Sequence, residues 1–364
     1  MPVKFADGLE VLFLEGTAGE MGFEHGVVVK ERIHASLEQF LRRSQEVFEV
    51  PYTFLRSEAP KCEPFMPPSF VEELRGLAEG SETSYEELLA LNCMVDVDTV
   101  YSQQFMHCCN FIVGKPATKG ELLLHGRNLD YPDGGILDRM CMVVVRKPES
   151  GATPTAGVSW VGFVGMLTGC SATKMTVAEV GTPCDDVSIL GVPITCLLRD
   201  ALEQTSSTEG FFKHVQAAPR TGGFNVAVSD GKTGDARAIE ITSRLCESRK
   251  PRRGTLIVDS WCHCRGTSFN RLTHAAGALR YARMAELIEQ NYGQIDVPVA
   301  LNLLNDKLDI AFRTSAGRTY NSICNCHTVH SVLFLPADEC LYVAHSHIPA
   351  PAGGYHKLDL ADLW

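Results

Sequence analysis

The 364-residue sequence predicts a layered α+β fold in which helices cover sheets of antiparallel strands. Two observations lead to this expectation: apolar residues recur at helical spacing up to about residue 100, and short apolar runs separated by Gly-containing turns follow. Helical and strand patterns then alternate once more in blocks. This order is typical of layered folds and disfavours a TIM barrel or a doubly wound parallel sheet.

The N-terminal third is predicted to be mostly helical after one short strand, 10–14. The closely spaced glycines over 16–26 indicate a tight turn segment. Apolar spacing then predicts a helix over 27–48. Ser84 and Glu87 form a capping-box pattern, which predicts that another helix begins there.

The remaining elements follow from the same two periodicities. Strands are predicted over 111–114, 122–125, 140–146, 158–167, 224–229, 236–242, 330–335 and 339–346. Helices are predicted over 70–78, 193–203, 209–217, 272–290 and 297–306. The sequence shows neither an internal repeat nor an interdomain linker, so a single domain is expected.

Composition excludes several functional classes. The net charge of −11 and pI near 5.6 argue against a nucleic-acid partner, because proteins that neutralise a phosphate backbone cluster Lys and Arg. The one basic run, 249–253, is interpreted as a solvated loop. Neither a transmembrane helix nor a secretory signal is predicted. We therefore expect a cytoplasmic protein with no membrane partner, whose 14 cysteines are mostly buried thiols.

Three successive segments carry the residues suited to catalysis: HCCNF at 107–111, TKGEL at 118–122 and HGRNLDY at 125–131. A cysteine nucleophile needs a base, because a thiol with a pKa of about 8.5 is mostly protonated at neutral pH. Cleavage of the bond before Cys108 would supply an α-amino group, whose ordinary pKa of about 7.7–8.0 suits a general base. Cys108 would then carry both nucleophile and base.

These segments resemble the linear amide C–N hydrolases of the N-terminal-nucleophile superfamily, in the branch of acyl-CoA:6-aminopenicillanic acid acyltransferase. Acid ceramidase, N-acylethanolamine acid amidase and penicillin V acylase are more distant members. The shared pattern is a nucleophilic Cys, two small residues, an apolar residue, a Lys-Gly or Asp-Gly hairpin and Gly-Arg-Asn-x-Asp. Other matching segments are 20–26, 73–78, 162–169, 225–230 with Glu240, and 349–355.

The resemblance implies a four-layer αββα sandwich of two antiparallel sheets between helices, built by one domain, 1–364. It also implies self-cleavage between His107 and Cys108. The N-terminal chain, 1–107, would be released but retained, because its amphipathic helices would otherwise expose large apolar faces. The catalytic chain would be 108–364.

The resemblance also assigns roles to individual residues. Cys108 is the expected nucleophile, Asp130 is expected to bind the new amino group, and Arg127 is expected beside the thiol and the substrate carbonyl. Asn225 matches the family's oxyanion-hole Asn. From the residues alone, a surface ion pair between Arg127 and Asp130 and a turn role for Asn225 stay open.

Cys109 is a departure from the family pattern, because the residue after the nucleophile is usually Ser or Thr. The mature chain could therefore begin at Cys109. We favour Cys108, since the family's apolar residue lies three positions after the nucleophile and Phe111 satisfies that spacing only from Cys108.

A second departure affects the expected substrate pocket. Cys170 and Ser171 stand where related proteins commonly carry Met and Asn, which puts the identity of the substrate in question more than the reaction type. The residues that we expect in or near the pocket are Cys109, Asn110, Cys170, Ser171 and His263.

The expected reaction is hydrolysis of a linear, non-peptide N-acyl amide through an acyl thioester. An acyltransferase using acyl-CoA or another acyl donor shares that intermediate and is an alternative. An uncleaved, non-catalytic binding protein is another alternative. Cys-x-Cys pairs at 262–264 and 324–326, with neighbouring histidines, also suggest a zinc-binding protein. We expect no metal and no cofactor, because the cysteine, its amine and hydrogen-bond donors suffice; a homo-oligomer stays open.

Overall fold

The computed structural model describes residues 3–6, 8–101, 108–131, 136–264 and 275–364. These residues form nine α-helices and fifteen β-strands, which are arranged as two sheets with helices packed on them. The predicted α+β class is confirmed. None of the helices in the described ranges combines the length and the apolar character needed to cross a membrane.

Eight of the nine described helices occur in three groups along the chain, and one short helix lies alone between the first two groups. The nine are α1 (Ala18–Phe48), α2 (Tyr52–Glu58), α3 (Pro68–Ser81), α4 (Tyr85–Tyr101), α5 (Leu137–Met140), α6 (Ile194–Gln204), α7 (Thr208–Ala217), α8 (Ala275–Gln290) and α9 (Val297–Leu304).

The strands lie mainly between and after these groups. They are β1 (Val3–Ala6), β2 (Leu9–Gly16), β3 (Cys109–Val113), β4 (Leu124–Asp130), β5 (Cys141–Pro148), β6 (Thr155–Trp160), β7 (Thr168–Ser171), β8 (Met175–Gly181), β9 (Phe224–Asp230), β10 (Asp235–Ile241), β11 (Cys246–Arg249), β12 (Thr255–Asp259), β13 (Thr328–Leu335), β14 (Cys340–Ala344) and β15 (His356–Asp359).

One sheet has nine strands in the order β1-β2-β5-β6-β7-β8-β9-β10-β11, and the other has six in the order β12-β3-β4-β13-β14-β15. The expectation of purely antiparallel sheets is wrong at one place, because β2 and β5 run parallel, with Val11 opposite Val143. A parallel pair needs a long connection, and the whole helical segment α1 to α4 lies between these two strands.

The two sheets face each other and each carries helices on its other side. Strands β3 and β4 contact β8 of the larger sheet, and β3 also contacts β9. Helices α6 and α7 pack on the larger sheet, and α8 and α9 pack on the smaller one. The predicted four-layer αββα sandwich is therefore confirmed.

Helix α1 begins well before residue 27, so the predicted turn over 16–26 is wrong. Thr17 caps the helix: its side chain accepts a hydrogen bond from the backbone N–H of Glu20, and the Glu20 carboxylate accepts one from the backbone N–H of Thr17. This capping box starts the helix before the glycines.

The glycines that suggested a turn are instead the contact between two helices. Gly22 and Gly26 of α1 face Gly76 and Gly80 of α3. A Cβ at any of these four positions would lie only 2.0–2.5 Å from a backbone atom of the other helix. Their spacing of four residues lines them up on one face of each helix, so the two backbones approach closely.

Strands β7 and β8 were not predicted, and both contribute to the candidate site. The predicted strand over 158–167 ends at Trp160, because Gly162 takes a left-handed conformation with φ of 82°. Thr168 then starts a new strand. By contrast, α4 begins at Tyr85, immediately after Ser84, as the capping pattern predicts.

Candidate active site

The hairpin of β3 and β4 brings Cys108 beside the residues predicted to act with it. Within the hairpin, Cys109 pairs with Asn128 and Asn110 pairs with Arg127. Cys108 immediately precedes β3 and therefore lies next to the C-terminal half of β4. The predicted return of β4 to the cysteine is thus present.

Alternation along β3 sends Cys108 and Cys109 to opposite faces of the six-stranded sheet. Cys108 packs in the apolar core between the sheets. Cys109 packs with Phe111 on the face covered by α8 and α9, where its thiol donates to the carbonyl oxygen of Ile323 at 3.8 Å. The Arg127 side chain projects toward the nine-stranded sheet, on the same side as Cys108.

Arg127 is fully buried and forms its contacts across the space between the sheets. Its Nε donates to Oγ1 of Thr168 at 2.9 Å, and its Nη2 lies 3.4 Å from Oε1 of Glu179. Its Nη1 donates to the Glu179 carbonyl oxygen. The alternative of a surface ion pair with Asp130 is wrong, because both side chains are buried and Arg127 pairs with Glu179.

Asp130, at the end of β4, is a buried carboxyl group with two side-chain donors. Asn325 donates to Oδ2 at 2.6 Å and Thr328 donates to Oδ1 at 2.7 Å. Burial raises the pKa of Asp130 to about 7, while the Arg280 guanidinium opposes that shift. This carboxyl group therefore changes its charge near neutral pH.

The Cys108 thiol is protonated at neutral pH in the continuous chain. Burial raises its pKa to about 12, and the charges of Glu179 and Asp130 add to that effect. The Arg127 guanidinium and the Asp130 backbone act in the opposite direction. The thiol thus needs a base close to it before it can act as a nucleophile.

Glu179 is a site residue that was not predicted, because β8 was not predicted. It is completely buried, and burial raises its pKa to about 7 against the attraction of Arg127. Its Oε2 has no hydrogen-bond partner among the described residues. A carboxylate inside the apolar run of β8 is the sequence signal that could have indicated it, since such a group requires a buried partner.

Arg280 of α8 holds the backbone of Cys108 and was not predicted either. Its Nη2 lies 3.4 Å from the Cys108 carbonyl oxygen and 2.6 Å from Oδ1 of Asp259. Both members of this ion pair are fully buried. The pair fixes the carbonyl group at the start of β3 from the helical side of the sheet.

Asn225 lies inside β9 and is buried, so it is not a turn residue. Its Nδ2 donates to the carbonyl oxygens of Asp259 at 2.8 Å and Trp261 at 3.2 Å. The Cys262 thiol donates to its Oδ1 at 3.8 Å. In the continuous chain the amide of Asn225 therefore binds the segment that follows β12.

Asn110 lies on the same face as Cys108, two residues along the strand. Its Nδ2 donates to the carbonyl oxygen of Ala178 at 3.3 Å, next to Glu179. Its Oδ1 is buried without a hydrogen-bond partner within the described ranges. This amide oxygen is thus a free acceptor close to the candidate nucleophile.

The structure does not bring the other expected pocket residues into this cluster. The Cys170 thiol donates to the carbonyl oxygen of Ala156, and Ser171 hydrogen-bonds Thr173 in the turn after β7. His263 stacks at a tilt on Tyr281, with ring centroids 4.8 Å apart. His107, on the other side of the predicted cleavage site, lies outside the described residues.

A small, mainly apolar cavity of about 10 Å³ adjoins the cluster. It is lined by residues that include Leu129, Trp160, Phe163, Leu167 and His330. Nε2 of His330 lies 3.0 Å from Oγ1 of Thr168, the hydroxyl that accepts the hydrogen bond from Arg127. Burial lowers the pKa of His330 well below its usual value, so this ring is neutral.

The two Cys-x-Cys segments have separate roles and do not combine into a zinc site. The backbone N–H of Cys264 binds the Glu240 carboxylate, whereas Asn325, between Cys324 and Cys326, binds Asp130. Within the described residues, no group of three or more His, Cys, Asp or Glu side chains is arranged to hold a metal ion.

A comparison with known families finds a match over part of the chain. The family model described as acyl-coenzyme A:6-aminopenicillanic acid acyl-transferase matches residues 184–347. The predicted relationship to this family is confirmed over these residues. The matched region contains Asn225, Arg280 and Asn325, whereas Cys108 and the β3–β4 hairpin precede it.

Curated relatives match parts of the chain. N-acylethanolamine-hydrolyzing acid amidase of Oryctolagus cuniculus is 32% identical over 169 residues, which cover 44% of this chain and 44% of that protein. Protein dcd1B of Dictyostelium discoideum is 24% identical over 264 residues, or 64% of this chain and 50% of that protein. The chain therefore spans about half the length of these relatives.

A solved structure of a mutant conjugated bile acid hydrolase from Clostridium perfringens superposes with a TM-score of 0.46 at 14% identity, covering 71% of this chain and 93% of that chain.

Proposed function

We propose that this protein is a cysteine amidohydrolase that activates itself by cleavage between His107 and Cys108 and then hydrolyses a linear N-acyl amide. In the first step the Cys108 sulfur attacks the His107 carbonyl carbon, and the peptide C–N bond breaks as the nitrogen takes up the thiol proton. Water then hydrolyses the thioester, which leaves a carboxylate on His107 and a free α-amino group on Cys108.

The new amino group would act as the base for the mature enzyme. It accepts the thiol proton as sulfur attacks the substrate amide carbon, and it returns that proton to the departing amine. Water then releases the acyl group as a carboxylic acid and regenerates the thiol. Asp130 is suited to hold the amino group, because its carboxyl group is buried beside Cys108 and already fixed by two donors.

The observation that carries this proposal is the position of Cys108 on the face that points between the sheets, together with Arg127 and Glu179. A buried guanidinium beside a thiol favours the thiolate, and it also favours negative charge on a substrate oxygen. Cys109, on the opposite face, lies near the guanidinium of Arg280, but that group is paired with Asp259, whose charge disfavours the Cys109 thiolate.

The apolar side chains that line the cavity favour an apolar acyl group as part of the substrate. The cavity itself, at about 10 Å³, holds about one water molecule, so these side chains must move apart to admit an acyl group. Its aromatic wall of Trp160 and Phe163 would exclude water from the acyl group, and His330 connects the cavity to Arg127 through Thr168. The name of the matching acid amidase, which hydrolyses N-acylethanolamines, supports the same substrate class. We therefore propose N-acylated small amines as the first substrates to test.

An acyltransferase is the second candidate, and the description of the matching family model favours it. The two activities share the acyl thioester on Cys108 and differ in whether water or another nucleophile accepts the acyl group. Adding a small amine acceptor to the hydrolysis assay distinguishes them, since a transferase forms the new amide at the expense of the free acid.

The test of the proposal is the intact mass of purified protein under denaturing conditions, combined with an assay on N-acylethanolamines of graded acyl length. We expect two fragments that separate before Cys108, and hydrolysis of at least one substrate. Cys108→Ala should remain unbroken and inactive, whereas Cys109→Ala, at the neighbouring buried position, should still be cleaved. An unbroken wild-type chain, or a Cys108→Ala variant that is still cleaved, would refute this mechanism.

A further inference from the structure

A cleft that Cys108 does not line lies on the outer side of the molecule. It has a volume of about 460 Å³ and is bounded by the turn between β11 and β12 on one side and α8 on the other. A volume of this size suits a small molecule. Its cationic lining comes from one short stretch of sequence: Arg249, Lys250, Arg252 and Arg253.

The positive charge of the cleft is only partly compensated. Arg249 lies 3.6 Å from Glu240, and Arg253 lies 3.6 Å from Glu289, which also lines the cleft. Both members of the Arg253 pair are about two-thirds exposed, so water and salt weaken their attraction.

The other two cations differ in their environment. Lys250 contacts both carboxylate oxygens of Asp235. Arg252 is exposed and has no ion pair or side-chain hydrogen bond within the described part of the chain. Nε of Arg249 is buried and lacks a hydrogen-bond partner among those residues, but it is the atom that lies 3.6 Å from the Glu240 carboxylate. The chain as a whole carries a net charge of −11, so this local excess of cations is not a general property of its surface.

Aromatic rings complete the wall formed by α8. Tyr281 lies half-buried in the cleft beside His263, and Tyr292 lies under the guanidinium of Arg253, 4.5 Å from its carbon to the ring centroid. Tyrosine faces and stacked guanidinium groups bind flat rings well.

We propose that this cleft binds a small phosphate ester that carries a flat ring. Three guanidinium groups and an ammonium within five residues offer several paired N–H donors, which match the oxygens of a phosphate group better than a single carboxylate would. The cleft is too small to follow a nucleic acid, and its charge is confined to one turn. The ring of the ligand would contact Tyr281, while the phosphate group lies toward Arg252.

The site is separate from the proposed hydrolytic chemistry, so each can fail without the other. The two are nevertheless neighbours on α8, because Arg280 contacts the Cys108 carbonyl oxygen and Tyr281 lines the cleft. His263 and Cys264, on its inner wall, bind Glu240 through their backbone N–H groups.

The test is titration calorimetry on the full chain with two probes, ADP and inorganic pyrophosphate, and with citrate as a multivalent carboxylate control. Wild type should bind ADP saturably and more tightly than pyrophosphate, and should bind citrate at least about tenfold more weakly than ADP. Arg252→Ser combined with Arg253→Asn should weaken both phosphate probes by about tenfold or more. Asn is chosen because Arg253 has a φ of 52°, which Asn tolerates.

Two further variants distinguish the contribution of the ligand's ring to binding from the contribution of its charge. Tyr281→Ala should weaken ADP by about fivefold while pyrophosphate stays within about twofold. Lys119→Ser, which removes an exposed lysine elsewhere, should leave both unchanged. The proposal is overturned by an absence of saturable binding, by equal affinity for citrate, by equal losses in the Lys119 variant, or by an arginine double variant that melts as wild type does and still binds at full affinity.

Discussion

Glu73 of α3 and Arg146 of β5 form a fully buried ion pair, with 2.8 Å between Oε1 and Nε. Glu73 precedes the proposed cleavage site in the sequence, and Arg146 follows it. The second oxygen of Glu73 binds Arg199 of α6 at 2.6 Å, and Arg199 also binds Glu203. Attraction of the two guanidinium groups lowers the pKa of Glu73 in spite of its burial. The helices before Cys108 are thus joined to the rest of the molecule through buried charges.

This pairing predicts that the fragment 1–107 stays bound after cleavage and that Glu73 is required for it. Removing one partner of a buried ion pair costs about 3–5 kcal/mol, because it leaves an uncompensated charge. Glu73→Ala should therefore release the N-terminal fragment in non-denaturing size-exclusion chromatography, or lower the melting temperature of the uncleaved chain. Glu72→Ala, on the exposed face of the same helix, should do neither. Equal behaviour of the two variants would show that the ion pair does not hold the fragment.

The contact between α1 and α3 leads to a second prediction. A Cβ on Gly76 would lie 2.1 Å from the Gly19 carbonyl oxygen, so Gly76→Ala forces the helices apart. Overpacking of this kind costs about 1–3 kcal/mol or more. Gly19→Ala is the matched control, because its Cβ would meet nothing within 4 Å and alanine favours a helix. Thermal denaturation of Cys108→Ala chains should show a loss for Gly76→Ala and no loss for Gly19→Ala; a loss of the same size in both would contradict the close-contact explanation.

The hairpin that contains Cys108, Arg127 and Asp130 could be predicted because its signal is local. A Gly-containing turn separates two apolar runs, and a hairpin necessarily returns its second strand to the start of the first. The helical start at Ser84 is local in the same way. Glycines 22 and 26 misled the prediction, since a single sequence does not distinguish a glycine needed for a turn from one needed for a close helix contact.

Glu179 and Arg280 could not be predicted as site residues, because no local pattern determines which distant side chain meets Cys108. Glu179 reaches Arg127 only through the stacking of one sheet on the other. Arg280 reaches the Cys108 backbone only because α8 packs on β12 and β3. Both contacts join residues more than 50 positions apart in the sequence. Hydrophobic periodicity indicates which face of a helix or strand is buried, but it does not indicate which distant residues that face contacts.

Glu179 also gives a prediction on pH. Its pKa is about 7 in the folded chain, above the ordinary value of 4.5, so the folded state holds this proton more tightly than the unfolded state. The stabilisation is full below about pH 4.5 and is lost as pH rises to about 7. Glu179→Gln removes this titration. We therefore compare the melting temperatures of two proteins, Cys108→Ala and the double variant Cys108→Ala with Glu179→Gln. As pH rises from about 4.5 to about 7, the single variant, which keeps Glu179, should lose stability relative to the double variant. A difference that does not change with pH would contradict a raised pKa of Glu179.

Asn128 forms hydrogen bonds like those of Asn225. Comparing variants of these two residues therefore distinguishes a structural role of Asn225 from a catalytic role. Each is buried, and each donates its Nδ2 to two backbone carbonyl oxygens, at 2.8 and 3.2 Å for Asn225 and at 2.8 and 2.9 Å for Asn128. Asn128 projects toward α9, whereas Asn225 lies on the nine-stranded sheet and its amide reaches Asp259 at the end of β12 in the other sheet.

Replacing either residue with Ala should destabilise the fold by a similar amount, about 1–3 kcal/mol, because each change leaves two buried carbonyl groups without a donor. Only Asn225→Ala should also lower kcat, by about 100- to 1,000-fold with little change in KM, if its amide turns from Asp259 or Trp261 to the oxyanion in the transition state. The measurement is kcat and KM at a temperature well below the melting point of both variants, on protein confirmed by mass to be fully cleaved. Equal kcat in the two cleaved variants would mean that Asn225 only fixes the segment after β12. Another group would then stabilise the oxyanion, and Arg127, whose charge acts on the Cys108 thiol, is a candidate.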